Sequence, residues 1–210
     1  MPLHTATIQM VSGTSVDANL AAARALLEQA AHAGAELAVL PEYFCVMGRQ
    51  DTDKLAVAES PDDGPIQAFL ARAARELGLW VVGGTLPLRT QDPARVRNAT
   101  LAYSPEGLRV ARYDKIHLFR FDNGRERYDE SRVIEAGREP VTFDLAARDG
   151  ARWRIGVKDI ERLYRYANLQ NRYDYKVKGS SPEDALSLID TLDLLRDEYH
   201  AENCGVSEQA

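Results

Sequence analysis

The clearest feature of the hydrophobic pattern is a short apolar run at residues 37–40, L-A-V-L, which Pro41 and Glu42 follow directly. A continuous apolar run of this length is typical of a strand buried on both faces. Because proline lacks the N–H that a sheet ladder needs, the strand is predicted to end before Pro41. Glu42 therefore lies at the end of a buried strand, where it is either solvated or functional.

The residues before this run complete a β-α-β unit. Residues 5–11 alternate and predict a strand, and residues 19–34 are rich in helix formers, with Asp17 as the N-cap and Gly34 as the stop. The apolar positions of this helix share one face, namely Leu20, Ala23, Leu27 and Ala31. A strand, a crossover helix and a second strand imply parallel pairing with a right-handed crossover.

Further elements are predicted as far as residue 157. Residues 51–63 are polar and predict a surface loop, after which Pro65 begins a helix that runs to Leu77 and stops at Gly78. The inward positions of that helix are predicted to be Ile66, Phe69, Leu70 and Ala73. Strands are predicted at residues 79–84, 97–103, 108–113 (continuing through 114–119), 141–145 and 153–157. A hairpin joins the second and third of these, and a polar loop is predicted over residues 120–138.

The character of the chain changes after Val157. Residues 158–210 are polar, mostly helical in pattern, and contain seven basic and eleven acidic residues. The sequence S-P-E-D at 181–184 is typical of a helix start, and one helix is predicted over about residues 181–202. Its apolar stripe, which we expect to cover the sheet fragment at 141–157, consists of Ala185, Leu188, Ile189, Leu192, Leu195 and Tyr199. The chain is thus predicted to be an α/β protein with a domain at 1–157 and a helical tail at 158–210.

Composition and charge narrow the classes of partner. The chain has 210 residues, of which 45% are hydrophobic and 28% charged, with a net charge of −6. This acidic balance argues against nucleic acid or an anionic membrane as the main partner. No run reaches the roughly 18 apolar residues of a spanning helix, and residues 1–4 do not resemble a secretory signal. Two cysteines are too few for a disulfide framework or a metal cluster, so we expect a cytoplasmic protein without a cofactor.

Several motifs occur in an order and spacing that match a known family. They are I-Q-M at 8–10, L-P-E-Y-F at 40–44, V-G-G at 82–84, Y-D-K-I-H-L-F at 113–119 and Y-D-E-S at 128–131. On these motifs, residues 1–157 resemble the nitrilase superfamily of carbon–nitrogen hydrolases, within the omega-amidase and deaminated-glutathione amidase group. The resemblance implies the N-terminal part of an α-β-β-α sandwich. It also implies hydrolysis of small carboxylate-bearing amides, with such an amide as the small-molecule partner and a homo-oligomer left open.

The resemblance also assigns roles to three residues. It implies that Glu42 is the general base, that Lys115 stabilises the oxyanion, and that Glu130 is a second, supporting glutamate. These roles agree with chemistry, since a thiol nucleophile needs a base and an ammonium stabilises a developing oxyanion. A lysine between two carboxylates should also stay charged. Without the resemblance, each residue has an ordinary structural interpretation, and His117 is interpreted as structural.

One departure from the family decides the expected activity. The family places its nucleophilic cysteine in a pattern like G-V-x-x-C-Y-D, whereas this chain has G-V-K-D-I at residues 156–160. Isoleucine has no nucleophilic atom, so a chain with Ile160 at this position is not expected to form the covalent acyl-enzyme. Cys45 lies on the loop of the base itself, and Cys204 lies in a polar segment, so neither is predicted to replace the missing thiol.

Two functions stay open on the sequence. The family's remaining strands and helices have no counterpart in residues 158–210. A frameshift, a gene fusion or an engineered segment would each explain the origin of these residues. The first function is that of a carbon–nitrogen hydrolase by descent that is inactive as written. The alternative is a non-catalytic truncated or fused relative that binds a ligand, or a protein partner through its helical tail.

Overall fold

The computed structural model describes residues 3–157 except residue 126. The predicted tail helix, Ile160 and Cys204 therefore lie outside the described residues. The helices are α1 (Val16–His32), α2 (Asp53–Ala56), α3 (Pro65–Leu77) and the 3₁₀ helix Glu130–Arg132. The strands are β1 (Thr5–Thr7), β2 (Leu37–Val39), β3 (Trp80–Val82), β4 (Leu86–Arg89), β5 (Val96–Tyr103), β6 (Arg109–Asp114), β7 (Arg120–Asp122), β8 (Arg127–Asp129), β9 (Thr142–Ala146) and β10 (Arg152–Gly156).

Six strands form the main sheet. Five of them follow the order β1-β2-β3-β5-β4, and β6 also pairs with β5. Strands β1, β2 and β3 are parallel, which confirms the predicted β-α-β arrangement. Strand β5 runs antiparallel to β3, β4 and β6. The first residues of β5 therefore lie at the end of the sheet where β2, β3 and β6 finish, and this end carries the candidate site.

Strand β2 is buried on both faces, as its continuous apolar sequence predicts. On one face, Ala38 belongs to an apolar cluster with residues of α1 and α3. On the other face, Leu37 and Val39 belong to a second cluster with the β9–β10 hairpin. The indole of Trp80 stacks on Phe143 at 6.0 Å between ring centroids, in this second cluster. The described residues thus form three successive layers, helix, sheet and hairpin, in the α-β-β order that the resemblance implies.

The two long helices match the sequence pattern, with one corrected cap. The N-cap of α1 is Ser15, whose hydroxyl accepts the N–H of Ala18 at 3.3 Å, whereas Asp17 lies within the first turn. Both residue types suit this position, and the cap is decided by which side chain reaches the N–H. Helix α3 has the predicted bounds and ends at Gly78, in the left-handed conformation with φ of 61°. All four of its predicted inward residues are buried.

Two segments that were predicted as polar loops contain ordered structure. Residues 51–63 include α2 and the buried Glu59, whose carboxylate accepts the N–H groups of Ile66 and Gln67 at the start of α3. The 120–138 segment contains the β7–β8 hairpin and the 3₁₀ helix. The predicted continuation of β6 through residue 119 is wrong, because the strand ends at Asp114.

Candidate active site

The three site residues predicted from the sequence lie in contact. The Nζ atom of Lys115 lies 2.9 Å from Glu42 Oε1 and 3.1 Å from Glu130 Oε2. These distances confirm that the three residues converge at one end of the main sheet. Their catalytic roles stay predictions.

Each residue is positioned by the end of a regular element. Glu42 follows β2, Lys115 comes directly after β6, and Glu130 begins the 3₁₀ helix that follows β8. The backbone of Lys115 is fixed on both sides, since its N–H donates to Asn98 O and its carbonyl accepts from Gly137 N, both at 2.9 Å. Because antiparallel neighbours β5 and β6 share this end of the sheet, the lysine is brought beside the acid that follows β2.

The turn that carries Glu42 is unusual. Tyr43 has φ of 54°, a left-handed conformation that non-glycine residues rarely adopt. The Tyr43 N–H donates to Thr85 Oγ1 at 2.8 Å, which holds this conformation. A Cβ on Gly84 would lie 2.0 Å from the carbonyl oxygen of Pro41, so the turn can rest against the sheet only because residue 84 has no side chain. Sheet and turn together therefore set the direction of the Glu42 carboxylate.

The cluster is largely buried and places two carboxylates around one cation. The side chains of Lys115 and Glu130 are 9% and 8% exposed, whereas that of Glu42 is 33% exposed. Burial by itself lowers the pKa of Lys115, but the adjacent Glu42 and Glu130 carboxylates outweigh burial and raise it. Lys115 is therefore charged at neutral pH, and the more exposed Glu42 is the carboxylate that a ligand can reach.

Neutral hydrogen-bond donors complete the coordination of the two carboxylates. Asn98 Nδ2 donates to Glu42 Oε1 at 2.8 Å, and the N–H of Phe119 donates to Glu130 Oε2 at 2.7 Å. The Tyr43 hydroxyl donates to Glu130 Oε1 at 3.4 Å. Burial, followed by the charges of the two glutamates, raises the pKa of Tyr43, so its hydroxyl stays protonated.

The arrangement supplies two parts of acyl-transfer chemistry. A reachable carboxylate can act as a base, and a buried ammonium can stabilise an oxyanion. The third part, a nucleophile, is not supplied by Cys45, whose side chain is fully buried in the core. Burial raises the pKa of the Cys45 thiol to about 12, and its Sγ atom donates to Thr85 O at 3.7 Å. The interpretation of Cys45 as structural agrees with this environment.

A cavity of about 330 Å³ opens beside the cluster. Glu130 and Tyr43 form the wall that the cavity shares with the cluster, and the rest comes from the segment before α3 and from Tyr128 of β8. Its remaining lining residues are Val46, Met47, Gly48, Arg49, Gln50, Asp51, Lys54 and Tyr128. Within residues 3–157 apart from 126, no group of three histidine, cysteine or acidic side chains has the arrangement of a metal site.

Sequence reasoning missed three residues that shape this site: Asn98, Tyr43 and Lys54. Asparagine is depleted in strands, so an Asn in the otherwise alternating 97–103 stretch was a usable signal. Tyr43 lay in a matched motif, but nothing in the sequence indicated its positive φ. Lys54 gave no signal, since it lies in a polar stretch whose pattern is typical of a surface loop.

Comparison with known proteins decides the family. The carbon–nitrogen hydrolase family model matches residues 4–160. The chain belongs to the carbon–nitrogen hydrolase family. Among its relatives, a chloroplastic omega-amidase from Arabidopsis thaliana is 31% identical over 143 residues, which cover 66% of this chain and 37% of the relative. A deaminated glutathione amidase from a Synechocystis strain is 31% identical over 174 residues, which cover 80% of this chain and 63% of the relative.

Solved structures of this hydrolase family support the same fold. The NitFhit protein of Caenorhabditis elegans superposes with a TM-score of 0.59 and 29% identity, over 65% of this chain and 34% of that one. A CN-hydrolase superfamily protein from Xanthomonas campestris gives a TM-score of 0.51 and 32% identity, over 73% and 49%. The chain is an α/β protein with the nitrilase fold, as the motifs predicted.

This hydrolase-family chain spans only part of its relatives. It covers 37%, 50% and 52% of the length of three curated amidases that it matches. In the portion of the chain that the structure describes, no helix has both the length and the apolar character needed to cross a bilayer.

Proposed function

We propose that this chain binds small carboxylate-bearing amides at the Glu42–Lys115–Glu130 cluster and does not carry out the covalent step of amide hydrolysis. The substrate class follows from the omega-amidases and deaminated glutathione amidases among its relatives. The observation that carries the proposal is the retained cluster, with Lys115 Nζ within 2.9 Å of Glu42 and 3.1 Å of Glu130.

The retained groups have clear tasks toward an amide. The charged Lys115 would donate a hydrogen bond to the amide carbonyl oxygen, and Glu42 would accept a hydrogen bond from the amide N–H or a proton from an attacking group. Hydrolysis through an acyl-enzyme further requires a nucleophile that attacks the carbonyl carbon and releases ammonia. The sequence has Ile160 where the family pattern has cysteine, and Cys45 is buried. Binding without turnover is the function that these residues support best.

The test compares turnover and binding in the full chain. Glutaramate, a five-carbon carboxylate amide, is incubated with the protein and ammonia release is measured by a coupled assay. We expect no release above a protein-free blank, while calorimetric titration detects binding that weakens in Glu42→Gln. A matched control is Glu28→Gln, which removes an acidic charge from the surface of α1.

Three outcomes would contradict the proposal. Turnover that survives in a Cys45→Ala, Cys204→Ser double variant would show hydrolysis by a route that needs no thiol. Turnover abolished by Cys204→Ser alone would identify Cys204 as a nucleophile. A chain that neither binds nor hydrolyses glutaramate at millimolar concentration would refute the ligand class.

A further inference from the structure

The cavity beside the cluster contains a cation that the catalytic chemistry does not use. Lys54 lies on α2 with a side chain that is 13% exposed, and it lines the cavity. An ammonium that is largely shielded from water and carries three N–H donors is costly unless anions or acceptors surround it.

The groups around Lys54 satisfy it incompletely. The carboxylate nearest to it within residues 3–157 belongs to Asp51, whose Oδ1 atom is 4.0 Å from the ammonium, beyond hydrogen-bond distance. The same Oδ1 atom already accepts the hydroxyl of Tyr128 at 2.8 Å. Lys54 Nζ also lies 4.9 Å from the centroid of the Tyr43 ring, a cation–π contact. Burial lowers the pKa of Lys54, and the more distant acids only partly offset this effect.

Tyr43 connects this cation to the catalytic cluster. Its ring lies under Lys54, and its hydroxyl donates to Glu130, which pairs with Lys115. Lys54, Tyr43 and Glu130 all line the cavity, whereas Lys115 lies behind Glu130 and outside this lining. A short-chain molecule with an anion at one end and an amide at the other would place the anion at Lys54 and extend along Tyr43 toward the cluster.

We propose that Lys54 binds the carboxylate of the ligand while Lys115 binds its amide carbonyl oxygen, with Tyr43 as the wall between the two ends. This assignment rests on the proposed function and adds the residue that selects carboxylate-bearing amides over neutral ones. A ligand carboxylate would provide the close acceptor that Asp51, at 4.0 Å, does not. The ordinary alternative is a structural role, in which Lys54 serves only the Asp51 pair and the Tyr43 ring.

The test uses two ligands that differ in one group. Glutaramate has a carboxylate and an amide, and glutaramide has an amide at each end and no charge. Calorimetric titration of the full chain gives a Kd for each, and KM takes the place of Kd for any ligand that releases ammonia. For Lys54→Met we expect the affinity for glutaramate to fall by roughly ten- to a hundredfold, as for loss of a hydrogen bond to a charged group. The affinity for glutaramide should change by less than about twofold, which also shows that the cavity remains folded.

Three further variants separate this role from structural ones. Lys54→Arg should keep most of the glutaramate affinity, since it restores the positive charge. Arg154→Gln removes one cation from an exposed pair with Asp144 and should affect neither ligand. Arg49→Gln removes the other cation of the cavity wall and should have a small effect.

The assignment to Lys54 would be overturned by several results. Equal glutaramate affinity in the wild type and Lys54→Met would show a structural role only. A selective loss in Arg49→Gln instead would move the anion site to that residue. Parallel losses for glutaramate and glutaramide would mean a general disruption of the cavity. These results leave the proposed function standing, whereas the absence of binding by either ligand to the wild type would refute both.

Discussion

Replacing Lys115 with methionine should destabilise the fold, because it leaves two carboxylates without their shared cation. Removing one partner of a buried ion pair costs about 3–5 kcal/mol. Glu130 is 8% exposed and would bear this penalty in full, whereas Glu42, at 33% exposed, is partly screened by water. We therefore expect Lys115→Met to lower the free energy of unfolding by about 3 kcal/mol, the lower end of that range.

A double variant isolates the electrostatic part of this loss. In Lys115→Met, Glu130→Gln the uncompensated buried charge is also removed, so the double variant should be more stable than Lys115→Met by about 1–2 kcal/mol. The control is Arg154→Met, which breaks a pair whose side chains are 73% and 60% exposed. Such a surface pair should contribute less than about 1 kcal/mol. Urea unfolding, followed by circular dichroism and tryptophan fluorescence, measures all four proteins.

The pH dependence of the unfolding free energy also reports on the Lys115 ion pairs. The folded state raises the pKa of Lys115, so its stabilising contribution is complete below the ordinary lysine pKa of about 10.4. It is lost only as the pH rises through the higher folded-state value. The difference in unfolding free energy between wild type and Lys115→Met should thus be constant from about pH 7 to 9 and shrink above about pH 10.5. The reasoning is refuted if the difference changes between pH 7 and 9, or if the double variant is no more stable than Lys115→Met.

Two further predictions concern the core and the turn of the site. In a Cys204→Ser background, a thiol reagent at pH 8 should label native Cys45 on the order of a thousandfold more slowly than the urea-unfolded chain, because a pKa of about 12 leaves little thiolate; comparable rates would show that Cys45 is accessible. Gly84→Ala should cost several kcal/mol more than Gly150→Ala in urea unfolding, at about 3 kcal/mol or above. Both glycines have positive φ, but a Cβ at residue 84 would lie 2.0 Å from Pro41 O and one at residue 150 would contact nothing within 4 Å; equal costs would mean that the turn moves to make room.

Helices and strands could be predicted from the sequence where the local pattern of apolar residues alone determines which side chains are buried. The apolar run of β2, the pattern and terminal glycine of α3, and the β5–β6 hairpin all appear where they were expected. Strand β4 is not among the strands predicted from the sequence, and it contains Pro87, a residue that strands seldom contain. The structure places Pro87 opposite Asn98 of β5, and on the other side of β4 the described residues form only an isolated bridge between Leu88 and Glu59. A missing N–H at Pro87 is therefore tolerated.

The predictions that failed concern residues whose burial or pairing depends on contacts that form only in the folded chain. Glu59 looks like a surface acid in sequence, yet it is buried because the N–H groups at the start of α3 bind its carboxylate. The β7–β8 segment is polar, and its two ends are joined by hydrogen bonds between Phe119 and Glu130, which also contacts Lys115. The proximity of Glu42 and Lys115 was predictable from strand order. Lys54 was not, since its burial comes from a cavity wall that only the folded chain creates.

The wide sequence separation of the cluster has a consequence for how the chain is made. Glu42 and Lys115 are 73 residues apart, and Glu130 follows later still. A ribosome adds about 5–20 residues each second, so Glu42 leaves the exit tunnel roughly 4–15 s before its lysine. During that interval α1 and then α3 are available to cover one face of β2, but the face that packs on the β9–β10 hairpin is still uncovered. The emerging chain would therefore be most in need of a chaperone until the β9–β10 hairpin has been synthesised.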